Sequence, residues 1–426
     1  MLDIKLIREN PKLVEENLKK RHDTEKLKLL NELIKHDEEK RDVIQKVEKL
    51  KQLRNTVTKE IADLKAKGKS VSAKMKDVKE IPDKIKKLDD ELASMNEKCN
   101  SILMRLPNML HDSVPIGKDE NDNVEIRKWG NPPRFSFEPK NHMEILEKLG
   151  LIDSERAAKV SGTGFFYLKE ELVILDFAIQ RFAIDMLRKR GYVLIEPPFM
   201  INRKAYEGMI DPSDFEMVTY KIEKEPMYLI ATAEHPLGSM LMNDVLEKDR
   251  LPLKLIGVSP CFRKEIGSHG KYTKGLFRMH QFNKIEQFIF CLPEQSWKLH
   301  EELQKNCEDL YQALGLHYRV VNVCTGDIGT IAAKKYDTDV WMADGKYREI
   351  GSNSNCTDYQ ARRLGIRYRE KAGTAPIGFV HTLNNTAMAT SRTMIAIIEQ
   401  HQQSDGSILI PKALQPYCGF EKIGKK

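Results

Sequence analysis

The chain has no apolar run long enough for a membrane helix, and Met1 to Asn10 lacks the apolar region of a signal peptide, which predicts a cytosolic protein without a membrane partner. Cysteine is sparse. The seven residues (Cys99, Cys261, Cys291, Cys307, Cys324, Cys356 and Cys418) are scattered, odd in number and without a CxxC pair, so neither a disulfide framework nor a zinc site is supported and free buried thiols are predicted. Neither GxGxxG nor GxxxxGKS/T occurs, which excludes a Rossmann fingerprint and a Walker loop as the means of holding a nucleotide. Nor is there a large charge excess: 70 Lys and Arg stand against 63 Asp and Glu, so the location of the basic residues says more about partners than their sum.

Aromatics are almost absent from about Lys26 to Leu103, and Gly and Pro are very few there. Such a stretch cannot fill a globular core. Its apolar residues recur at three-four spacing, with Leu30, Leu33, Ile44, Val47, Leu50 and Leu64 marking one seam and Met75, Val78, Ile85, Leu92, Cys99 and Ile102 a second. Lys67-Gly68-Lys69-Ser70 is a turn signal between them, so two antiparallel helices are predicted as a coiled-coil hairpin, each arm reaching about 55 Å at about 1.5 Å per residue. Pro82 should disturb the returning helix locally. Before the hairpin, Asn10-Pro11 reads as an N-cap followed by Pro at the first helical position. The distal part, Lys51 to Lys79, holds nine basic residues against three acidic ones, a pattern open to two readings: a solvated face, or an arm that contacts a nucleic-acid backbone.

Leu106-Pro107 to about Asn123 is rich in Pro, Gly, Asp and Asn and reads as a boundary between a domain at 1–110, with its arm at about 26–103, and one at 111–426. Beyond it aromatics return. An amphipathic helix at Leu172 to Arg190 and a strand at Tyr192 to Ile195 run into Pro197-Pro198, and further strands interspersed with helices predict an antiparallel-rich α+β domain. Strands at Leu253 to Ser259 and Phe277 to Phe290 form a hairpin around Phe262-Arg263-Lys264-Glu265. Alternation would put Arg263 and Glu265 on one face, and Arg278, Phe282 and Glu286 together on the other strand. Guanidinium forks suit phosphates, a carboxylate suits an amino group and a ring suits a base, although the same charges also fit a salt-bridged sheet. Downstream, Leu383-Asn384-Asn385-Thr386 leads through Arg392 into an apolar helix, whose unpaired N–H groups would favour a phosphate oxygen beside that arginine.

These three pieces, in this order, resemble the signature motifs of class II aminoacyl-tRNA synthetases. More closely, MLDIKLIRENP, the helical hairpin, Thr232-Ala233-Glu234, FRKE with GLFRMHQFNKIE, REIGSNSNCTDYQARR and ILIPKALQPYCG resemble the seryl-tRNA synthetase family over essentially the whole chain. The resemblance implies a class II antiparallel catalytic sheet preceded by a tRNA-binding hairpin, a homodimer whose interface includes the helix and strand around Pro198, and ligation of L-serine to tRNA(Ser) with ATP and Mg²⁺. It assigns catalysis to Arg263 and Arg392, and ATP binding to these with Lys264, Glu265, Arg278, Met279 and Phe282. Glu349, Ile350, Gly351 and Ser352 complete that set, Glu349 and Ser352 also holding the metal. Serine would be held by Thr232, Ala233, Glu234, Arg263, Glu286, Asn384 and Thr386, and the helical arm would grip the long variable arm of the tRNA. Lys264 and His280 read as peripheral to the chemistry. Thr386 stands where many bacterial relatives have Ser, resembling the archaeal or eukaryotic side of the family. The alternatives are a non-catalytic relative, which would be expected to lose Arg263, Glu265 or Arg392, and a paralogue that charges a carrier protein and lacks the hairpin.

Overall fold

The computed structural model describes residues 1–211, 215–265 and 275–424, with the backbone alone for 72–74, 76–77 and 215–216. The Gly- and Lys-containing loop of the predicted hairpin, 266–274, lies outside the described residues, as do the side chains of Lys74, Lys76 and Asp77 at the basic end of the arm. Two compact units are present, Leu2–Pro107 and Asn108–Lys426 with Met1.

In the first unit, α1 (Ile4–Glu9) is capped by the Asp3 carboxylate, and α2 (Pro11–Lys19) begins with the proline, at a position where no helical N–H is needed. Asn10 precedes it as predicted, but its side chain makes no cap hydrogen bond. The long helices α3 (Thr24–Ala66) and α4 (Ser72–Arg105) form the predicted hairpin, turning at Gly68, whose φ of 67° a residue with a Cβ adopts only at a cost. Arg8 donates twice to Asp37 of α3, at 2.7 Å each, a bidentate pairing that fixes α1 against the long helix. Val47 packs with Ile81 and Ile85 to make the seam. Ile44 and Met75, predicted to lie on it, are exposed, and Val43 is buried instead. Val43 and Ile44 stand four and three residues before Val47, so both keep the three-four spacing, and a step of one residue turns a helix by about 100°; packing against the partner helix selects Val43. Helix α4 also runs through Pro82 without interruption, because the exposed ring removes one hydrogen bond but displaces no packed side chain. Lys51, Arg54, Lys59, Lys65, Lys67, Lys69 and Lys79 are all exposed.

The second unit is built on one sheet. In chain order its elements are β1 (Val124–Trp129), α5 (Glu171–Arg188), β2 (Val193–Ile195), β3 (Leu253–Phe262) and β4 (Gln281–Cys291). They continue as α6 (Ser296–Ala313), β5 (Tyr318–Asn322), β6 (Lys334–Trp341), β7 (Tyr347–Thr357), β8 (His381–Ala389) and α7 (Thr390–Gln400). Among the described residues the eight strands lie in the order β1-β5-β6-β7-β8-β4-β3-β2, antiparallel throughout except for β2 beside β3. This is the predicted α+β class. A core joins Leu175 and Ile179 of α5, Leu303 and Leu310 of α6 and Ile395 and Ile398 of α7 to the apolar residues of the sheet, Ile285 and Ile289 of β4 among them. Side-chain alternation then sends Lys284 and Glu286 to the opposite face, while Phe282 near the start of the strand packs against this core.

The hairpin differs from its prediction at the ends. Its ladder stops at Phe262 opposite Gln281, so Arg263 and Glu265 lie beyond β3 and Arg278 lies before β4, in loop rather than strand. Strand alternation therefore does not govern where they point. All seven cysteines are buried and unpaired, as predicted. Among the described residues no helix is long and apolar enough to cross a membrane.

Candidate active site

At the open end of the β3–β4 hairpin, the Arg263 N–H donates to the His280 carbonyl at 2.9 Å, and the His280 Nδ1 lies 2.8 Å from the Arg263 carbonyl. A carbonyl only accepts, so His280 donates, and the pair locks the backbone that carries Arg263. The guanidinium is aimed by a 3.2 Å bond from Nε to the Ala231 carbonyl and stands 5.2 Å from the centre of the Phe282 ring. Two residues on, Glu265 has a φ of 45°, a backbone state that a residue with a side chain seldom holds without a reason, and its Oε2 accepts from Arg278 Nη1 at 3.1 Å. Arg392 falls in the first turn of α7. It donates to the Glu349 carbonyl at 2.8 Å, lies 3.8 Å from that residue's carboxylate and covers the Phe277 ring at 4.6 Å.

These groups line one cavity. Arg263, Glu265, Met279 and Phe282 form part of its wall, and Glu349, Ile350, Gly351 and Arg392 form another part. Gly351 is required there: a Cβ would come within 2.9 Å of the Thr386 carbonyl. Ile350 is itself a core residue, so its contribution is mainly backbone. Lys264 does not line the cavity; its N–H donates to the Val218 carbonyl.

Thr386 joins this cavity to a buried polar cluster. It sits directly across the sheet from Glu286, and its hydroxyl donates to Glu286 Oε2 at 3.3 Å. The Lys284 ammonium lies 2.6 Å from the same oxygen and 3.4 Å from the Thr386 hydroxyl. Nearby, Glu234 accepts from Asn384 at 3.2 Å and from Gln360 at 3.4 Å, while its own N–H is held by the Thr232 hydroxyl. Burial, reinforced by the charge of Glu286, pushes the Glu234 carboxyl up to about 7. Burial keeps the adjacent His235 well below its usual value. Ala233 is fully buried in an apolar cluster and offers only backbone.

On the other side, Ser352 donates to Glu349 at 3.0 Å. Burial works against ionisation of Glu349, but the charges of Arg392 and Lys335 outweigh it and hold the carboxyl below its usual value. Behind it Asp337 and Asp339 are pushed up by burial to about 7 and about 6. No group of three or more His, Cys, Asp or Glu among the described residues is arranged to hold a metal by itself. A charged carboxylate beside a hydroxyl nevertheless suits a hard cation that takes most of its ligands from phosphates and water.

Thus Arg263, Glu265, Met279, Phe282, Glu349 and Arg392 meet at one cavity, with Arg278 and Ser352 bonded to its wall and Glu234, Glu286, Asn384 and Thr386 clustered at its end. Among the described residues, sequence reading missed Phe277, Lys284, Ala389 and Ser391 on the cavity wall and Gln360 beside Glu234. Phe277 stands at the end of the same hairpin, and Gln360 comes from a distant helix with no local signal. Lys284 was visible, because alternation from Phe282 to Glu286 passes through it.

The helix-backed antiparallel sheet, with one arginine at its hairpin and another at the start of the following helix, defines a class II aminoacyl-tRNA synthetase. Residues 218–401 match the model of the tRNA synthetase class II core domain (G, H, P, S and T), and residues 1–110 match the seryl-tRNA synthetase N-terminal domain. The Serine--tRNA ligase of Methanocella arvoryzae is 53% identical over 425 residues, covering 99% of this chain and 100% of that protein. The crystal structure of seryl-tRNA synthetase from Pyrococcus horikoshii complexed with ATP superposes with a TM-score of 0.96 at 48% identity, each chain covered fully. That of the cytoplasmic serine–tRNA ligase from Naegleria fowleri in complex with AMP gives 0.89 at 36%, covering 100% and 99%. The chain belongs to the seryl-tRNA synthetase family, the serine–tRNA ligases of class II.

Proposed function

We propose that the cavity binds ATP and the adjoining cluster binds L-serine, and that the chain joins them before passing the seryl group to tRNA(Ser). In the first step a serine carboxylate oxygen attacks the α-phosphorus, the bond to the departing phosphate breaks, and seryl-adenylate and pyrophosphate result. In the second the terminal adenosine hydroxyl of the tRNA attacks the seryl carbonyl and AMP leaves.

Arg263 holds the α-phosphate and the serine carboxylate, neutralising charge as it develops; this transfer needs positioning and electrostatics more than a protein nucleophile. Phe282 stacks on adenine, Glu265 accepts from its amino group, and Met279 contributes backbone. Arg392 and Arg278 hold the distal phosphates. Burial lowers the tendency of Arg392 to stay charged, and Glu349 beside it offsets this. Glu349 and Ser352 would hold Mg²⁺, which screens the phosphate charge when bound. Glu234, with Thr232 and Asn384 around it, receives the serine ammonium, and Glu286 with Thr386 reads the hydroxyl. Alanine would leave that buried carboxylate without a donor, which is a strong basis for rejection.

The observation that carries this reading is the continuity of the site: Thr386 lines the arginine-flanked cavity and bonds Glu286 at its end. The exposed, basic end of the α3–α4 hairpin supports backbone contacts with the variable arm of a tRNA. Exposed Ile174 and Phe177 on α5, with Val193 and Leu194 on β2, supply an apolar surface of the kind that a homodimer covers. The chain works in the cytoplasm on this reading. ATP–pyrophosphate exchange tried with each common amino acid, without tRNA, tests it: exchange should occur with serine alone. A folded, ATP-binding protein that supports no exchange would overturn the proposal.

A further inference from the structure

Lys284 has no part in the two-step scheme above, yet it is the most deeply buried lysine at the site, 5% exposed on a central strand. A buried ammonium needs a use. Its Nζ is 2.6 Å from Glu286 Oε2, and Thr386 reaches the same oxygen, so one carboxylate oxygen is clamped from its own strand and from the strand beside it. The clamp fixes Glu286 through one oxygen, Oε2, where the cluster meets the end of the cavity.

Lys284 also settles a charge problem. Glu234 and Glu286 repel one another in a buried place, and the Lys284 charge opposes the rise that burial and Glu286 impose on Glu234. Without it two buried carboxyl groups would face one another with no cation between them, an arrangement that costs energy and loosens the hold on Glu286. Because Lys284 also borders the ATP cavity, a direct role on phosphate is the competing use. The 2.6 Å contact argues against that, since the ammonium is already committed to Glu286.

We infer that Lys284 is a positioning residue for serine selection: it holds the Glu286 side chain in place from its own strand, so that the carboxylate accepts from the side-chain hydroxyl of the amino acid. This rests on the reading that Glu286 faces that hydroxyl, and the test separates the two. Lys284→Met keeps the stem length and removes the charge, and it is compared with Glu286→Gln and the double variant in pyrophosphate exchange with serine and with alanine. Lys284→Met should raise the KM for serine by about a hundredfold, with a much smaller change in kcat, and should erode the preference over alanine. In the Glu286→Gln background the same substitution should change the KM less than about threefold, since no carboxylate remains to position.

An equal loss in both backgrounds, or a loss in kcat with KM unchanged, would overturn the inference and place Lys284 on the reacting phosphate. Should the single Lys284→Met variant fail to fold, the charge-balanced double variant set against Glu286→Gln decides by the same criterion. If Glu286→Gln itself leaves the KM for serine unaltered, the assignment of Glu286 has failed, and the inference about Lys284 falls with it.

Discussion

Lowering the pH from 8 to 6 should weaken serine binding through one carboxyl, Glu234. Burial and the charge of Glu286 raise it from 4.5 to about 7, so ionising it costs about 3 kcal/mol more than in water, at about 1.36 kcal/mol per unit. A carboxyl with a raised value is protonated below that value. The serine ammonium needs the carboxylate, so below pH 7 each serine that binds must displace a proton. The KM for serine should therefore be flat above about pH 8 and rise by about tenfold per unit below 7. The adjacent His235 does not supply this limb, because burial holds it far below the window, and Asp337 and Asp339, at about 7 and about 6, lie behind Glu349 on the other side of the site. Pyrophosphate exchange across this range at saturating ATP measures it. Glu234→Gln provides the control, because an amide cannot ionise: serine should bind far more weakly but without the acid limb. A flat KM from pH 8 to 6 in the wild type, or an acid limb that survives in Glu234→Gln, would refute the assignment of the ammonium to Glu234.

Arg263→Ala should abolish pyrophosphate exchange while leaving the thermal transition nearly unchanged, since among the described residues its side chain is held by a bond to the Ala231 carbonyl and by the Phe282 ring; normal exchange in that variant would remove Arg263 from the chemistry. Phe282→Ala should raise the KM for ATP by roughly five- to 150-fold, the equivalent of about 1 to 3 kcal/mol of stacking, with little change in the KM for serine. Deleting Glu48 to Glu80 and rejoining α3 to α4 with a short turn should preserve adenylate formation and cripple charging of tRNA, whose KM in the intact protein should rise steeply with salt; equal loss of both activities would contradict the division between arm and catalytic sheet.

The α3–α4 hairpin was legible because nothing in it competes with helix: seam spacing, the Gly68 turn and the lack of aromatics all point one way. Where it was misread, at Ile44 and Met75, the choice between adjacent apolar residues depended on the partner helix, which local spacing does not contain. The β3–β4 hairpin was legible for the same reason, but the extrapolation past Phe262 failed. Alternation holds only while a ladder enforces it, and the last ladder pair is Phe262 with Gln281. Arg263 is aimed instead by His280 and Ala231, which pattern reading leaves out of account. The surroundings of Glu234 are still less local, since Gln360 and Asn384 arrive from 126 and 150 residues away.

One signal nevertheless lay in the open. A strand covered on both faces should be apolar at nearly every position, because each unpaired charge buried there costs several kcal/mol. From Phe282 to Phe290 strand β4 meets that rule at Phe282, Ile285, Phe288, Ile289 and Phe290, and breaks it with the amides Asn283 and Gln287 and, at greater cost, with opposite charges at Lys284 and Glu286. Their spacing of two puts them on one face, and their opposite signs let them neutralise each other within 2.6 Å. A strand that carried only structural demands would gain by replacing such a pair with packed aliphatics. The pair therefore marks the place where the sheet gives up packing energy to hold a charged group for something outside the protein.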